Sequence, residues 1–133
     1  MGFAFVVTDV IPASSDAIYR AWLDSDGHAG MTGGKAARIS AAAGETYSVW
    51  NGYITGANLE LEPGRRIVQS WRTTRFTAAD PDSRIEVTLA PEGRGTRVTI
   101  AHSNVPNRHT SYRDGGWQNN YFEPMKRYFA AAR

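Results

Sequence analysis

Residues Ser111–Arg133, "SYRDGGWQNNYFEPMKRYFAAAR", decide the fold, because their apolar spacing is helical while three of their residues oppose a helix. Gly115 and Gly116 fall in what reads as the first turns, and Pro124 in the middle. Glycine costs an exposed helix about 1 kcal/mol against alanine and proline about 3. At 100° per residue, Trp117, Tyr121, Met125, Tyr128 and Ala132 share one stripe, with Phe122 and Phe129 at its margin, while Lys126, Arg127 and Arg133 fall mostly elsewhere. Ser111 with Asp114 three residues on is a helix start of the capping-box kind. Pro124 removes one donor to the Asn120 carbonyl, which predicts a kink. A long aromatic helix with a bend in it needs a curved apolar surface to lie on.

The strands upstream supply that surface. "RIEVTLAPEGRGTRVTIAHS", 84–103, is a hairpin with Ile85, Val87, Leu89, Thr96, Val98 and Ile100 on one face and Glu86, Thr88, Arg97 and Thr99 on the other. One apolar and one polar face mark an antiparallel sheet covered on a single side. "RRIVQSWR", 65–72, sets Ile67, Gln69 and Trp71 against Val68, Ser70 and Arg72.

"ETYSVWNGYITGANLELE", 45–62, is a second hairpin around Asn51-Gly52, the pair best suited to a type I′ turn. Two-residue closure pairs Trp50 with Tyr53, Val49 with Ile54 and Tyr47 with Gly56. Tyr47, Val49 and Ile54 then share one face, and Trp50 and Tyr53 the other. Leu59 and Leu61 alternate in the opposite phase to Ile54, so one extra residue is expected near Gly56 as a β-bulge.

The N-terminal "FAFVVTDVI", 3–11, is β-rich, and "SSDAIYRAWLDSDGHAGM", 14–31, switches to helical spacing, with Ser14 or Ser15 as the cap. Two short helices ending near Gly30 to Gly34 are expected. The order is strand, helix pair, five or six antiparallel strands, long helix. It predicts an α+β fold in one domain, 1–133, in which six to seven strands curve around the final helix.

Composition removes several function classes. With no cysteine there is no disulfide, thiolate metal site or thiol catalysis, and the chain suits a reducing compartment. The start "MGFAFVVTDVIPASS" has no basic n-region, and no run approaches the roughly 18 apolar residues of a membrane span. A cytoplasmic protein without membrane insertion is expected. Net charge is only +2 and the basic residues are scattered, with Arg65-Arg66 and Arg72/Arg75 the densest groups, so no nucleic-acid stripe forms.

Four segments in order, "GHAGMTGGKAARIS" (27–40), "NGYITGANLELEPGRRIVQSWR" (51–72), "GTRVTIAHSNVP" (95–106) and "GGWQNNYFEPMKRYF" (115–129), resemble the domain family named for activator of heat shock protein 90 ATPase homologues. That family lies within the START-like, or SRPBCC, superfamily. The resemblance implies a helix-grip fold, often with a hydrophobic cavity between sheet and helix. Relatives bind lipids, sterols, aromatic polyketides or hormones, and some catalyse ring closure. The namesake proteins stimulate the chaperone's ATPase with an additional N-terminal domain, which 133 residues are not expected to hold.

Met31, Tyr47, Gln69, Trp71, His102, Trp117, Tyr121 and Met125 are the expected cavity lining, since binding pockets are mainly apolar with a few polar handles. The same residues would equally serve as filled core. His102 continues the inward phase of Thr96, Val98 and Ile100, as a strand-end histidine with a hydrogen-bond partner. His28, His102 and His109 include no pair at metal spacing, and no metal or cofactor is expected. Glu60 and Glu62 alternate outward against Leu59 and Leu61, and Ser14, Ser15 and Ser111 are caps before they are nucleophiles. No catalytic set emerges.

Three readings follow: a module holding a hydrophobic or aromatic small molecule, a one-domain partner of a heat shock protein 90-type chaperone, and a cyclase or dehydratase. The last would depend on His102 or a tyrosine hydroxyl.

Overall fold

The computed structural model describes residues 2–131; Ala132 and Arg133, placed on the helix by its spacing, lie outside the described residues. Strand β1 (Gly2–Ile11) leads into helices α1 (Ser15–Trp22) and α2 (Ser25–Met31). Strands β2 (Thr46–Val49), β3 (Ile54–Glu62), β4 (Arg66–Thr73), β5 (Ser83–Glu92) and β6 (Gly95–Pro106) follow, and α3 (Glu123–Ala131) ends the chain. All six strands form one antiparallel sheet in the order β1-β6-β5-β4-β3-β2.

Both short helices start on side-chain caps. The Ala17 N–H donates to Ser14 Oγ at 3.1 Å, and the Gly27 N–H to the Asp24 carboxylate at 2.8 Å. The inward faces of β4, β5 and β6 follow their alternation, and Ile67, Gln69, Trp71, Ile85, Val87, Thr96, Val98, Ile100 and His102 are all buried. On the outer face Arg66 joins Glu60, Glu62 and Glu86, and Val68, which stands opposite Glu60 and Glu86 in the sheet, is buried. Asp9 of β1 accepts from Lys126 at 2.6 Å and from Gln118 at 2.9 Å, tying the last helix to the sheet edge.

The final helix departs from its expected form in three ways. It begins after Gly115, not at Ser111: residues Thr110–Tyr112 make a separate 3-10 turn, and Gly115 reverses the chain at φ +112°. That conformation favours glycine. Gly116 is needed for closeness, since a Cβ there would stand 2.7 Å from the Ser111 carbonyl oxygen.

Secondly, the missing donor of Pro124 is absorbed by a wide turn. Gln118–Phe122 is π-helical, and the Glu123 N–H reaches back five residues to the Gln118 carbonyl. Such single wide turns occur inside helices where regular i→i−4 bonding is interrupted. Thirdly, the wide turn resets the phase. Trp117, Tyr121, Phe122, Met125 and Phe129 are buried, whereas Tyr128, expected on the stripe, is 36 % exposed and packs its ring edge against Gly30.

The β2–β3 hairpin keeps its register, with Val49 opposite Ile54 and Tyr47 opposite Gly56. Asn51 and Gly52 both have positive φ, and the Tyr53 N–H donates to the Trp50 carbonyl at 3.1 Å. Trp50 is also left-handed, at φ +56°, and this turns its ring inward against Tyr121 instead of onto the outer face. The bulge lies between Asn58 and Glu60, three residues beyond the expected place, so Leu59 is exposed and Leu61 packs on the core. Gly56 answers a different need. A Cβ there would collide with the Ser70 carbonyl and the Tyr47 hydroxyl.

Candidate functional site

A groove of about 170 Å³ opens between the β2–β3 hairpin tip, the inner face of β4 and the start of the last helix. Trp50, Tyr53, Trp71, Tyr112, Trp117 and Tyr121 form its aromatic walls, with Ile54, Gly116 and Asn120 completing it. The rings touch one another: Trp71 and Trp117 have centroids 4.8 Å apart, Trp117 and Tyr121 4.9 Å, and Trp50 and Tyr121 6.0 Å. These are the tilted arrangements that aromatic quadrupoles favour. Gly116, having no side chain, gives only its backbone to the wall.

Two relays of hydrogen bonds lock the rings from behind. His102 accepts from the Trp117 indole N–H at Nδ1 (3.1 Å), so its proton sits on Nε2 and is donated to Ser83 Oγ (2.9 Å). Ser83 in turn donates to the Trp71 carbonyl at 2.7 Å. His28 has the opposite tautomer. Its Nδ1 must donate to the Trp22 carbonyl at 2.8 Å, which leaves Nε2 to accept the Tyr121 hydroxyl proton at 2.8 Å.

Burial pushes both rings towards neutrality, His28 to about 4 and His102 to about 3. The Tyr121 hydroxyl is pushed up by the same burial. Both nitrogens of each histidine are therefore engaged, and neither ring is placed to take a proton from a molecule in the groove.

Among the described residues, two buried side-chain polar atoms lack such a partner. The indole N–H groups of Trp50 and Trp71 are buried without one, and both residues are groove walls. The Trp50 indole is near enough to the Tyr121 hydroxyl to oppose its upward shift, as Trp71 is for Tyr112, but neither contact has hydrogen-bond geometry. An unpartnered buried donor costs about 1–3 kcal/mol, so two beside one groove call for an explanation.

Of the eight residues expected to line a cavity, Trp71, Trp117 and Tyr121 stand on the groove. Met31 and Met125 are fully buried core, and His102 is the support behind Trp117. Gln69 accepts from the Trp22 indole at 3.1 Å and donates to Asn58 at 2.9 Å, so it fastens α1 to the sheet. Tyr47 reaches across Gly56 to donate to the Ser70 carbonyl at 2.6 Å and borders a separate polar hollow with Arg38, Glu45 and Asp82.

Trp50, Tyr53, Ile54, Tyr112, Gly116 and Asn120 were missed. Their signal was an aromatic pair flanking Asn51-Gly52, and a tyrosine just ahead of the two glycines. Among the described residues no cluster of histidine and acidic side chains is arranged to hold a metal ion. No described helix is long and apolar enough to cross a membrane.

Sheet, wide-turned helix and aromatic groove define an α+β helix-grip protein of the START-like class. Residues 12–130 match the family described as activator of Hsp90 ATPase homolog 1-like protein, and the chain belongs to that family. A curated relative, the activator of 90 kDa heat shock protein ATPase homolog of Dictyostelium discoideum, is 30% identical over 88 residues, 65% of this chain. The match spans only 23% of that relative's length.

An HSP90 activator from Plasmodium falciparum superposes with a TM-score of 0.84 at 19% identity, over 96% of each chain. Protein CV1439 from Chromobacterium violaceum does so with a TM-score of 0.73 at 25% identity, over 92% of this chain and 94% of its own. CalU16 from Micromonospora echinospora gives 0.76 at 21% identity, over 94% of this chain and 74% of its own.

Proposed function

We propose that the groove holds a small, flat, mainly apolar molecule in the cytoplasm without transforming it. The observation that carries this reading is the pair of unpartnered indole donors, Trp50 and Trp71, on the walls of an aromatic groove. A ligand with an acceptor atom among its rings would satisfy donors that otherwise stand buried and unpaired. The engaged histidines support holding over catalysis, because general acid–base work needs a group within reach of the substrate.

Native mass spectrometry of protein taken directly from cells, beside an Asn120→Trp variant whose new ring fills the groove, tests the reading. Asn120 is exposed, so the fold should persist. A bound small molecule on the wild type that is missing from the variant is expected. If neither a copurifying molecule nor indole fluorescence change with neutral bicyclic aromatics appears, the idea fails.

A second reading has its own support in family membership. A protein of this family that meets a heat shock protein 90-type chaperone would alter its ATP turnover. Unchanged turnover together with no co-sedimentation would remove it.

A further inference from the structure

A second hollow, of about 210 Å³, adjoins the mouth of the groove and shares Tyr53 and Tyr112 with it as common walls. Its other walls are Arg75, Arg108, His109, Thr110 and Ser111. Each hollow alone is smaller than the roughly 300–1,000 Å³ of ordinary small-molecule sites, whereas the two taken as one fall within it.

The cations at this end differ in how far they are committed. Arg72 is held by Asp82 and by the Asp80 and Thr77 carbonyls. Arg108 is paired with Asp80, whose carboxyl it holds well below the usual range. Arg75 is exposed, and among the described residues its guanidinium has no carboxylate partner; only its backbone N–H is engaged, with Thr73 Oγ1. His109 lies against Phe76 and Tyr112, at 5.1 and 6.2 Å between ring centroids. Burial chiefly lowers its pKa, Arg108 and Arg75 lower it further, and Asp80 opposes them. Nearby positive charge therefore goes unanswered beside an aromatic slot.

We infer that the two hollows are one bipartite site for a planar aromatic carboxylate, its rings among Trp50, Trp71, Trp117 and Tyr121 and its carboxylate on Arg75 with the hydroxyls of Thr110 and Ser111. A single uncommitted guanidinium fork matches the two oxygens of a carboxylate. The inference rests on the groove reading given above and adds to it the charge of the ligand.

Fluorescence titration of the full chain with 2-naphthoate and with 2-naphthamide, its neutral isostere, separates the two ideas. The acid is expected to bind about tenfold more tightly at low salt. In Arg75→Gln the preference should vanish, the acid and the amide then binding alike, with the thermal midpoint of the free protein unchanged. Saturating naphthoate, and not naphthamide, should also raise the His109 pKa followed by NMR, because the bound anion offsets the neighbouring arginines. Equal affinities for acid and amide, or a preference that survives Arg75→Gln, would overturn the inference while leaving the groove reading standing. Binding of neither probe overturns the inference, and, where no small molecule copurifies either, the groove reading with it.

Discussion

His28 and His102 are the residues on which the pH response of the fold turns. Both are buried and hydrogen-bonded as neutral rings, with folded pKa values near 4 and 3 against an ordinary 6.5. The titratable groups facing them are the Tyr121 hydroxyl for His28 and Tyr112 for His102, both pushed up by burial and so neutral through this range. Above pH 6.5 the folded and unfolded chains bind the same protons at these sites. Below it the unfolded chain takes up protons that the folded chain refuses, so stability falls as pH falls towards those depressed values.

Carboxylates with shifted values are lowered from 3.8 or 4.5, and act only below those. Between pH 6.5 and 4.5 the loss is thus mainly histidine. At about 1.4 kcal/mol per unit for each ring it amounts to about 3–5 kcal/mol. Urea midpoints at pH 7.5, 6 and 5 should decline together with this window; a flat profile would show that the folded rings take up protons as readily as the unfolded chain does. A second residue-scale test concerns Gly56. Gly56→Ala drives a methyl into the Ser70 carbonyl and the Tyr47 hydroxyl, and should cost about 1–3 kcal/mol in denaturant unfolding.

At the scale of elements, the wide turn at Gln118–Phe122 and Pro124 belong together. A wide turn is one extra residue in a helix, so deleting an exposed residue within it, Asn119, would restore regular spacing and preserve the phase on both sides. Regular spacing, however, would bring the proline ring against the carbonyl four residues earlier, at about 3 kcal/mol. Deletion of Asn119 alone should therefore destabilise the protein, and combining it with Pro124→Ala should recover most of the loss. Additive effects in this double-mutant cycle would separate the proline from the turn.

Elements whose causes are local were legible in the sequence. The Asn51-Gly52 turn fixes its own register, and β5–β6 alternate without a fault from Ile85 to His102. Those set by tertiary contact were not. Ser111 reads as a cap, yet the chain needs the left-handed Gly115 to turn onto the sheet first. A bulge could be inferred from the clash of two alternating phases, but every residue between the phases was an equal place for it. Packing put it at Asn58, whose amide donates to the Ser40 and Ala42 carbonyls.

For the molecule as a whole, the groove joins parts far apart in sequence: a hairpin tip at Trp50 and Tyr53, a strand at Trp71, a 3-10 turn at Tyr112 and a helix at Trp117 to Tyr121. Periodicity could identify the strand and helix residues, because each faces inward along its own element. It could not place Trp50, whose inward turn depends on a positive φ, or Tyr112, which lies outside any long element. A ligand that bridges these parts stabilises all of them at once. For a molecule binding only the folded chain, a concentration one hundred times Kd contributes about 2.7 kcal/mol. In a chain of this length that shifts the thermal midpoint by roughly 10 °C. Naphthoate is expected to raise the wild-type midpoint by that amount and the Asn120→Trp midpoint hardly at all. An equal rise in both would place the ligand elsewhere, since the variant's groove has no room left for it.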